Sequence, residues 1–529
     1  MLDEKIVNII PKPQKITEGE GFFGLDNDCG IMSMQKDFAL SVTNTVEKVC
    51  NIKLESKQKD KNIVIRLDEN YKGIKGGYTI NINSSNAELI SDTNEGLGYA
   101  VTSFCMLILQ FKGVIRSMTI EDYPRFKYRG FMLDVGRYFY TVDEVKSFID
   151  IMSWLKLNYL HLHLTEDQGW RVEIKKYPLL TQKGSIRSHT NFNHKKHGGF
   201  YTQEEIRQIV EYANGKFIKV IPEIDMPGHM VSAIACYPYL SCFDRKLEVA
   251  THWGVKHDIL CAGKSEVLEF VKDVISEIME LFPDGYIHLG GDEAVKTRWK
   301  LCPNCQNKIK ELGLKDENEL QVWFMNEVAK FVKSKGYTAI MWNEDKPRDF
   351  LDKSIIWNLY MFGKETDELA VNEANGGRKL INVQSNAYYF DLPYNTISLK
   401  TAYDYEPMLK GITACDNMLG TECDLWTEYV PNMQTAFKRL FPRIFAMAES
   451  AWTESGNKNY EEFLAKLTAQ SEYIAEKYGY TGVPISKANP SKLRGFFEQI
   501  WFNRRVFHWQ GLHNLIDNAV VAAKAKKLK

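Results

Sequence analysis

The sequence predicts a (β/α)₈ TIM barrel, preceded by a small α+β domain and followed by C-terminal helices. Three observations carry this reading. From Arg129 onward, short apolar strands alternate with amphipathic helical segments. The count of such strands before residue 455 reaches eight. Carboxylates and indoles gather just past the strands, at the C-terminal rim where a barrel of this kind carries its site.

The first unit, residues 1–124, contains Asn62-Ile-Val-Ile-Arg-Leu and Tyr78-Thr-Ile-Asn-Ile, which alternate as half-buried strands do. Glu95 to Gln110 reads as a helix packed on them, and no cluster of chemistry-bearing residues occurs in this stretch. Asp122-Tyr-Pro-Arg125 marks a boundary, because proline disfavours helical backbone in the residue before it.

The barrel, residues 125–455, opens with the apolar strand Gly130 to Val135. Thr141-Val-Asp-Glu144 is a capping box, and Val145, Phe148, Ile149 and Met152 behind it share one helical face. The strand Leu157 to Leu164 follows. Thr202-Gln-Glu-Glu205 is a second capping box, ahead of Ile206, Ile209, Val210 and Ala213. Phe217 to Ile221 is the third strand, and Val267, Phe270, Val271, Val274 and Ile278 line the next helix. Tyr286 to Leu289 is the fourth. Thr338–Trp342, 354–358, 380–384 and 418–422 complete the set, and Tyr460 to Tyr478 is the clearest helix of the terminal segment, residues 456–529.

The fourth strand runs into Gly290-Gly291 and then two adjacent acids, Asp292 and Glu293. Two glycines let the chain bend where side chains would obstruct it. Paired acids whose pKa values are pushed apart suit glycoside hydrolysis. The bland alternative is Asp292 as a helix cap.

Other strand ends add to the set. Strand one is flanked by Arg129 and ends at Asp134; strand two ends in Glu166-Asp167-Gln-Gly-Trp170, and strand three in Pro222-Glu-Ile-Asp-Met-Pro-Gly-His229. Trp342-Asn-Glu344, Trp357, Tyr388-Tyr389-Phe-Asp391 and Glu422-Cys-Asp-Leu-Trp426-Thr-Glu428 follow. Indoles pack on the apolar face of a pyranose while carboxylates bind its hydroxyls. Each residue also has a structural alternative: tryptophans as core fillers, Tyr389 as a structural phenol, Arg129–Asp134 as an ion pair, His229 as a satisfied buried histidine, and Asp391 and Glu428 as surface acids.

Composition bounds the remainder. The chain has 529 residues, 44% hydrophobic and 26% charged, with a formal net charge of −1, so no overall field favours nucleic acid or an anionic membrane. The Lys-rich end Lys524–Lys529 reads as a solvated helix end. The apolar run Tyr99 to Phe111 is too short to span a bilayer. Met1-Leu-Asp-Glu-Lys5 lacks an apolar signal core, and ten irregularly spaced cysteines do not resemble a disulfide framework, so cytoplasmic residence is expected. No cofactor or metal is expected. His161 and His163 lack a completed ligand set and read as structural. Cys302-Pro-Asn-Cys305 resembles half a zinc knuckle or a redox motif; no second Cys-x-x-Cys exists, although Cys236, Cys242 and Cys261 are available as partners.

Four motifs in order, Arg129–Asp134, His161–Trp170, Pro222–His229 and His288–Glu293, resemble the family 20 glycoside hydrolases, the β-N-acetylhexosaminidases. The resemblance runs from about Ile9 to about Trp452. It implies exo-acting, retaining hydrolysis of terminal β-GlcNAc or β-GalNAc, assisted by the substrate's own acetamide. By matching motifs, Glu293 would be the acid and base, and Asp292 would orient the acetamide. Tyr389 would bind its oxygen, while Trp342, Trp357 and Trp426 would wall the pocket. Arg129, Asp391 and Glu428 would bind distal hydroxyls, and Asp167 and His229 would support Glu293. An ionised Asp292 should then raise the pKa of Glu293. Glu166 stands where the family more often has Asp, and Tyr138 replaces a frequent histidine. Rival readings are a disaccharide-releasing enzyme, favoured by a pocket widened near Asp391 and Glu428, a sugar-binding module with a dead site, and a metal-dependent hydrolase. The partner expected is an oligosaccharide or glycoconjugate substrate; oligomeric state stays open, with a homodimer among the options.

Overall fold

The computed structural model describes residues 6–190, 195–344 and 350–491. Met1–Lys5, the Lys-rich end and the rest of the terminal segment beyond residue 491 lie outside the described residues.

The first domain is a six-stranded sheet in the order Lys15–Gly24, Val114–Asp122, Tyr78–Ile82, Asn86–Ser91, Lys61–Leu67, Cys29–Ser33. Alternation buries Ile63, Ile65, Tyr78, Ile80 and Ile82 under the helix Asn94–Phe111. That helix starts where Thr93 accepts the Gly96 N–H. Its buried residues are not confined to one face, because it packs on the sheet and on the helix Lys36–Cys50 while Tyr99 reaches Trp452 and Arg129 of the barrel.

Eight parallel strands then close a barrel. They are β1 (Tyr128–Asp134), β2 (Tyr159–His163), β3 (Lys219–Met226), β4 (Tyr286–Gly290), β5 (Thr338–Trp342), β6 (Ile356–Leu359), β7 (Leu380–Asn382) and β8 (Met418–Leu425). Each pairs with the next, and β8 returns to β1 in the register Gly420 to Tyr128 through Leu425 to Leu133. Both capping boxes form, opening the helices Val142–Trp154 and Gln203–Asn214. Fully burying one of their large apolar side chains, such as Phe148 or Ile209, is worth about 1.5–3 kcal/mol. In the β5–β6 connection no α-helix occurs among the described residues, and the segments between β7 and β8 are the short Ser385–Tyr388 and Leu399–Asp404.

Strand parity fixes which side chains enter the barrel. Tyr128, Ile221, Ile340, Ile356 and Ile381 form its apolar floor. Residues two positions further along carry a polar layer above it, including His161, Glu223, His288, Asn358 and Glu422. Alternate residues, among them Arg129 and Trp357, point outward.

The two domains share a buried junction. Trp452, from the helix Arg443–Trp452, inserts into the first domain's core and donates Nε1–H to Asp122 Oδ1 at 2.9 Å. Lys156 lies fully buried, 3.1 Å from Asp122 Oδ2 and 2.9 Å from the Tyr78 hydroxyl. No helix among the described residues is long and apolar enough to cross a membrane.

Candidate active site

At the end of β4 the chain turns through Gly290 and Gly291, with φ of +67° and +103°. A Cβ on Gly290 would lie 1.7 Å from Asp225 Oδ1, so no larger residue fits without moving β3. The Gly291 N–H donates to that same oxygen at 3.3 Å, and Gln321 Nε2 donates to the Gly291 carbonyl at 2.7 Å. Asp292 and Glu293 follow in non-helical backbone, and the next helix begins only at Thr297, so Asp292 is no helix cap. Glu293 itself sits at φ +46°, its N–H donating to Glu344 Oε2 at 2.7 Å. A non-glycine residue held there stores local strain at the site.

Beneath the pair lies the polar layer of the barrel. Glu223 accepts from Trp342 Nε1 at 2.8 Å and lies 3.1 Å from both His161 Nε2 and His288 Nδ1, and 2.5 Å from His163 Nδ1. Glu422 meets His161 Nδ1 at 3.1 Å, the Asn358 amide at 3.1 Å and the Tyr128 hydroxyl at 2.5 Å. His161 and His163 are therefore members of a structural network that fixes the Trp342 indole from below.

Aromatic rings and charges build the wall. The Trp342 ring stands 5.7 Å from Tyr360 and 5.9 Å from Trp426, and Tyr389 lies 6.0 Å from Trp426. Burial pushes Asp391 up to about 7, and the charge of Glu428 adds to that rise. His229 completes the support: its Nε2 lies 3.4 Å from Glu293 and 3.7 Å from Asp292.

Three expected residues are placed differently. Arg129 starts β1 at the opposite end of the barrel and points outward. Its guanidinium donates to the carbonyls of Lys156 and Phe126 and to the Tyr99 hydroxyl, over the Trp452 ring. It binds the domain junction, with neither a sugar nor Asp134. Arg137, just past β1, holds the rim instead: Nη2 is 2.7 Å from Glu166, Nη1 is 3.4 Å from Asp134, and Nε is 3.8 Å from Glu428. Trp357 faces outward beneath the Arg378 guanidinium, 4.4 Å from its ring, so it does not wall the pocket. Tyr360, one step beyond β6, takes that place and donates to Glu344 at 2.8 Å. Asp167 pairs with His229 only at ion-pair range, without a hydrogen bond. Its Oδ1 accepts the Val231 N–H, while Glu166 contacts His229 Nδ1 at 2.6 Å and Asp167 stands 3.9 Å off. The longer glutamate carries the carboxylate across.

Reading rim residues strictly past the C-terminal strand ends would have selected Arg137 and Tyr360 over Arg129 and Trp357. The Glu166 contact had no such signal, because adjacent acids cannot be ordered without a backbone.

Electrostatics reverse the expected split of the acid pair. Burial pushes Asp292 up to about 7, with His229 drawing it down and Glu293 pushing it further up. Glu293 is held below its ordinary value: burial raises it, but the hydrogen bond and charge of His229 and the charge of Arg137 prevail. The reason is position. Asp292 has 15% of its side chain exposed and Glu293 47%, and the histidine cation, sustained against burial by Glu166 and Asp225, is nearer Glu293.

A second cluster stands apart from these acids. Cys242, Cys261, Cys302 and Cys305 are buried with their sulfurs gathered, so two of the three candidate partners join the Cys302–Cys305 pair. Cys236 is not among them; its thiol donates to the carbonyls of Leu179 and Ser232.

Comparison with known proteins agrees with the geometry. Residues 126–455 match the glycosyl hydrolase family 20 catalytic domain, and residues 7–123 match domain 2 of that family. A β-hexosaminidase of Porphyromonas gingivalis is 35% identical over 489 residues, covering 88% of this chain and 63% of the relative, so the chain spans under two thirds of that protein's length. One from Akkermansia muciniphila is 31% identical over 418 residues, covering 76% of this chain and 84% of the relative. The solved family 20 exo-β-N-acetylglucosaminidase of Vibrio harveyi, in complex with N-acetylglucosamine, superposes with a TM-score of 0.81 at 27% identity, covering 91% of this chain and 79% of that one. The barrel, the Gly-Gly-Asp-Glu turn and these matches together show that this chain belongs to glycosyl hydrolase family 20.

Proposed function

We propose that the protein is a retaining exo-β-N-acetylhexosaminidase acting on terminal non-reducing β-GlcNAc or β-GalNAc, with the substrate's acetamide as the nucleophile. The observation that carries this reading is the Asp292–Glu293 pair, turned by Gly290-Gly291 into a bowl floored by Trp342 and walled by Tyr360, Tyr389 and Trp426.

In the first step the acetamide carbonyl oxygen attacks the anomeric carbon. The bond from that carbon to the leaving oxygen breaks, and Glu293 gives its proton to the leaving oxygen. Asp292 accepts the acetamide N–H and balances the positive charge that develops on the resulting oxazolinium. In the second step water attacks the anomeric carbon, Glu293 takes its proton, and the acetamide oxygen leaves. Two displacements retain the configuration.

The chemistry needs Asp292 ionised and Glu293 protonated. Below about pH 7 the pair carries one proton, held mainly by Asp292 before substrate arrives. An amide N–H donated to Asp292 favours its anion, and a pyranose stacked on Trp342 covers Glu293 from water. Both effects move the shared proton towards Glu293. Arg137, Asp391 and Glu428 cluster at one end of the bowl, and their closeness supports release of one sugar rather than a disaccharide. Ten unbridged cysteines support cytoplasmic residence; native protein recovered outside the cell would overturn that.

The direct test is hydrolysis of an aryl β-GlcNAc against the matching aryl β-glucoside, with a GlcNAc-thiazoline as inhibitor. The reading expects cleavage of the acetamido sugar alone, blocked by the thiazoline. Equal cleavage of both would return Asp292 to the role of ordinary nucleophile.

A further inference from the structure

The catalytic reading leaves the four-cysteine cluster unused. Cys242 and Cys261 lie between β3 and the helix Ser265–Leu281, whereas Cys302 and Cys305 lie between β4 and β5. Their sulfurs approach at 3.6 Å (Cys261–Cys305), 3.7 Å (Cys261–Cys302) and 3.9 Å (Cys242–Cys305), and all four lie within 4.8 Å of one another. A disulfide needs sulfurs about 2.05 Å apart. A tetrahedral zinc thiolate has Zn–S of about 2.3 Å, which places its sulfurs about 3.8 Å apart. The observed separations match the second figure.

The surroundings fit thiolates. Cys302 and Cys305 form a Cys-x-x-Cys knuckle, in which the Cys305 backbone N–H donates to the Cys302 sulfur. Cys302 is also the N-cap of the ten-residue helix Pro303–Leu312, whose dipole favours negative charge there. Lys264, whose ammonium donates to Asp244 Oδ1 at 2.7 Å, brings a positive charge near the Cys261 sulfur. The two loops meet so closely that a Cβ on Gly263 would fall 2.2 Å from the Asn304 carbonyl carbon and 2.3 Å from the Cys305 nitrogen. Four buried thiols with no disulfide among them are otherwise an unexplained cluster inside the core.

We propose that Cys242, Cys261, Cys302 and Cys305 bind one zinc ion in a closed tetrathiolate site. Thiolates fill all four positions, leaving none for water or substrate, so the ion is structural rather than catalytic. It clips the loop that carries His229 to the loop that carries Asp292 and Glu293, beside the Arg298–Asp258 pair and the Trp299–Leu260 hydrogen bond that join the same segments. The metal would therefore brace the proton-bearing pair from outside the pocket.

The test uses the full-length protein purified without added chelator. Metal analysis by mass spectrometry is expected to find about one zinc per chain. A mercurial thiol reagent should release that zinc, read with a colorimetric chelator, in proportion to the thiols it blocks. Protein refolded with Co²⁺ should show the intense visible bands of a tetrahedral cobalt thiolate. Cys305→Ser should lose the metal and melt lower; Cys302→His, which keeps a ligand, should retain metal and shift the cobalt spectrum. Iron in place of zinc, disulfides among these four residues, or free thiols that take up neither Zn²⁺ nor Co²⁺ would each overturn the proposal.

Discussion

The proton shared by Asp292 and Glu293 is pulled in opposite directions, by burial towards Asp292 and by substrate towards Glu293. Between the depressed pKa of Glu293 and the value of about 7 for Asp292, the pair holds one proton. The pH profile of kcat/KM should therefore be a bell whose basic limb falls near 7, since that ratio reports the free enzyme. Asp292→Asn leaves Glu293 alone with the His229 cation, so kcat should drop about 10²–10³-fold and the basic limb should move to lower pH. A limb unmoved by this substitution would show that the two acids do not share a proton. Glu293→Gln should cost about 10²–10⁴-fold in kcat while thiazoline binding persists. The rim offers a paired contrast. Arg137→Met should lower kcat/KM by roughly 10–150-fold, the value of a charged hydrogen bond, whereas Arg129→Met should lower Tm and leave KM unchanged.

At the scale of elements, the barrel shows which parts of the site its sequence disclosed. The Gly-Gly-Asp-Glu turn was readable because a strand ending in glycines has few structural alternatives. Trp342, Tyr389, Trp426, Asp391, Glu428 and His229 followed from their position at or past strand ends, and the structure brings them to one rim. Trp357 misled because a short strand's inward parity is set by its register, which β6 takes from Ile340–Ile356 pairing rather than from its own residues. Arg129 misled because it lies at the start of β1 rather than past its end. Tyr360 follows from the same parity, and Tyr360→Phe should reduce kcat/KM about tenfold by freeing Glu344, where Trp357→Phe should change only stability. Steady-state kinetics beside thermal melts separates these outcomes. The thiol cluster was half legible: the Cys-x-x-Cys pair is contiguous, but its partners Cys261 and Cys242 lie 41 and 60 positions before Cys302, with nothing in the sequence to choose them over Cys236.

For the whole molecule, the first domain is bound to the barrel through a buried charge. Lys156 is placed against Asp122, Tyr78 and Trp452, and burial depresses its pKa although Asp122 raises it. Removing one partner of such a pair strands the other, so Lys156→Met should destabilise by about 3–5 kcal/mol without altering KM at temperatures where the protein stays folded. In the sequence Asp122-Tyr-Pro-Arg125 marks the boundary, and the first domain carries no cluster of chemistry-bearing residues. The structure shows why the boundary residue matters, since Asp122 also accepts from Trp452 on the far side of the barrel sequence.

The central claim is that the substrate's acetamide, and not Asp292, attacks the anomeric carbon. It is tested most directly by kcat/KM for aryl glucosaminides bearing N-acetyl, N-fluoroacetyl, N-difluoroacetyl and N-trifluoroacetyl groups. Each fluorine withdraws electrons from the attacking carbonyl oxygen, so the account predicts a steep, monotonic fall across the series. A flat series would contradict it and make an enzyme carboxylate the nucleophile.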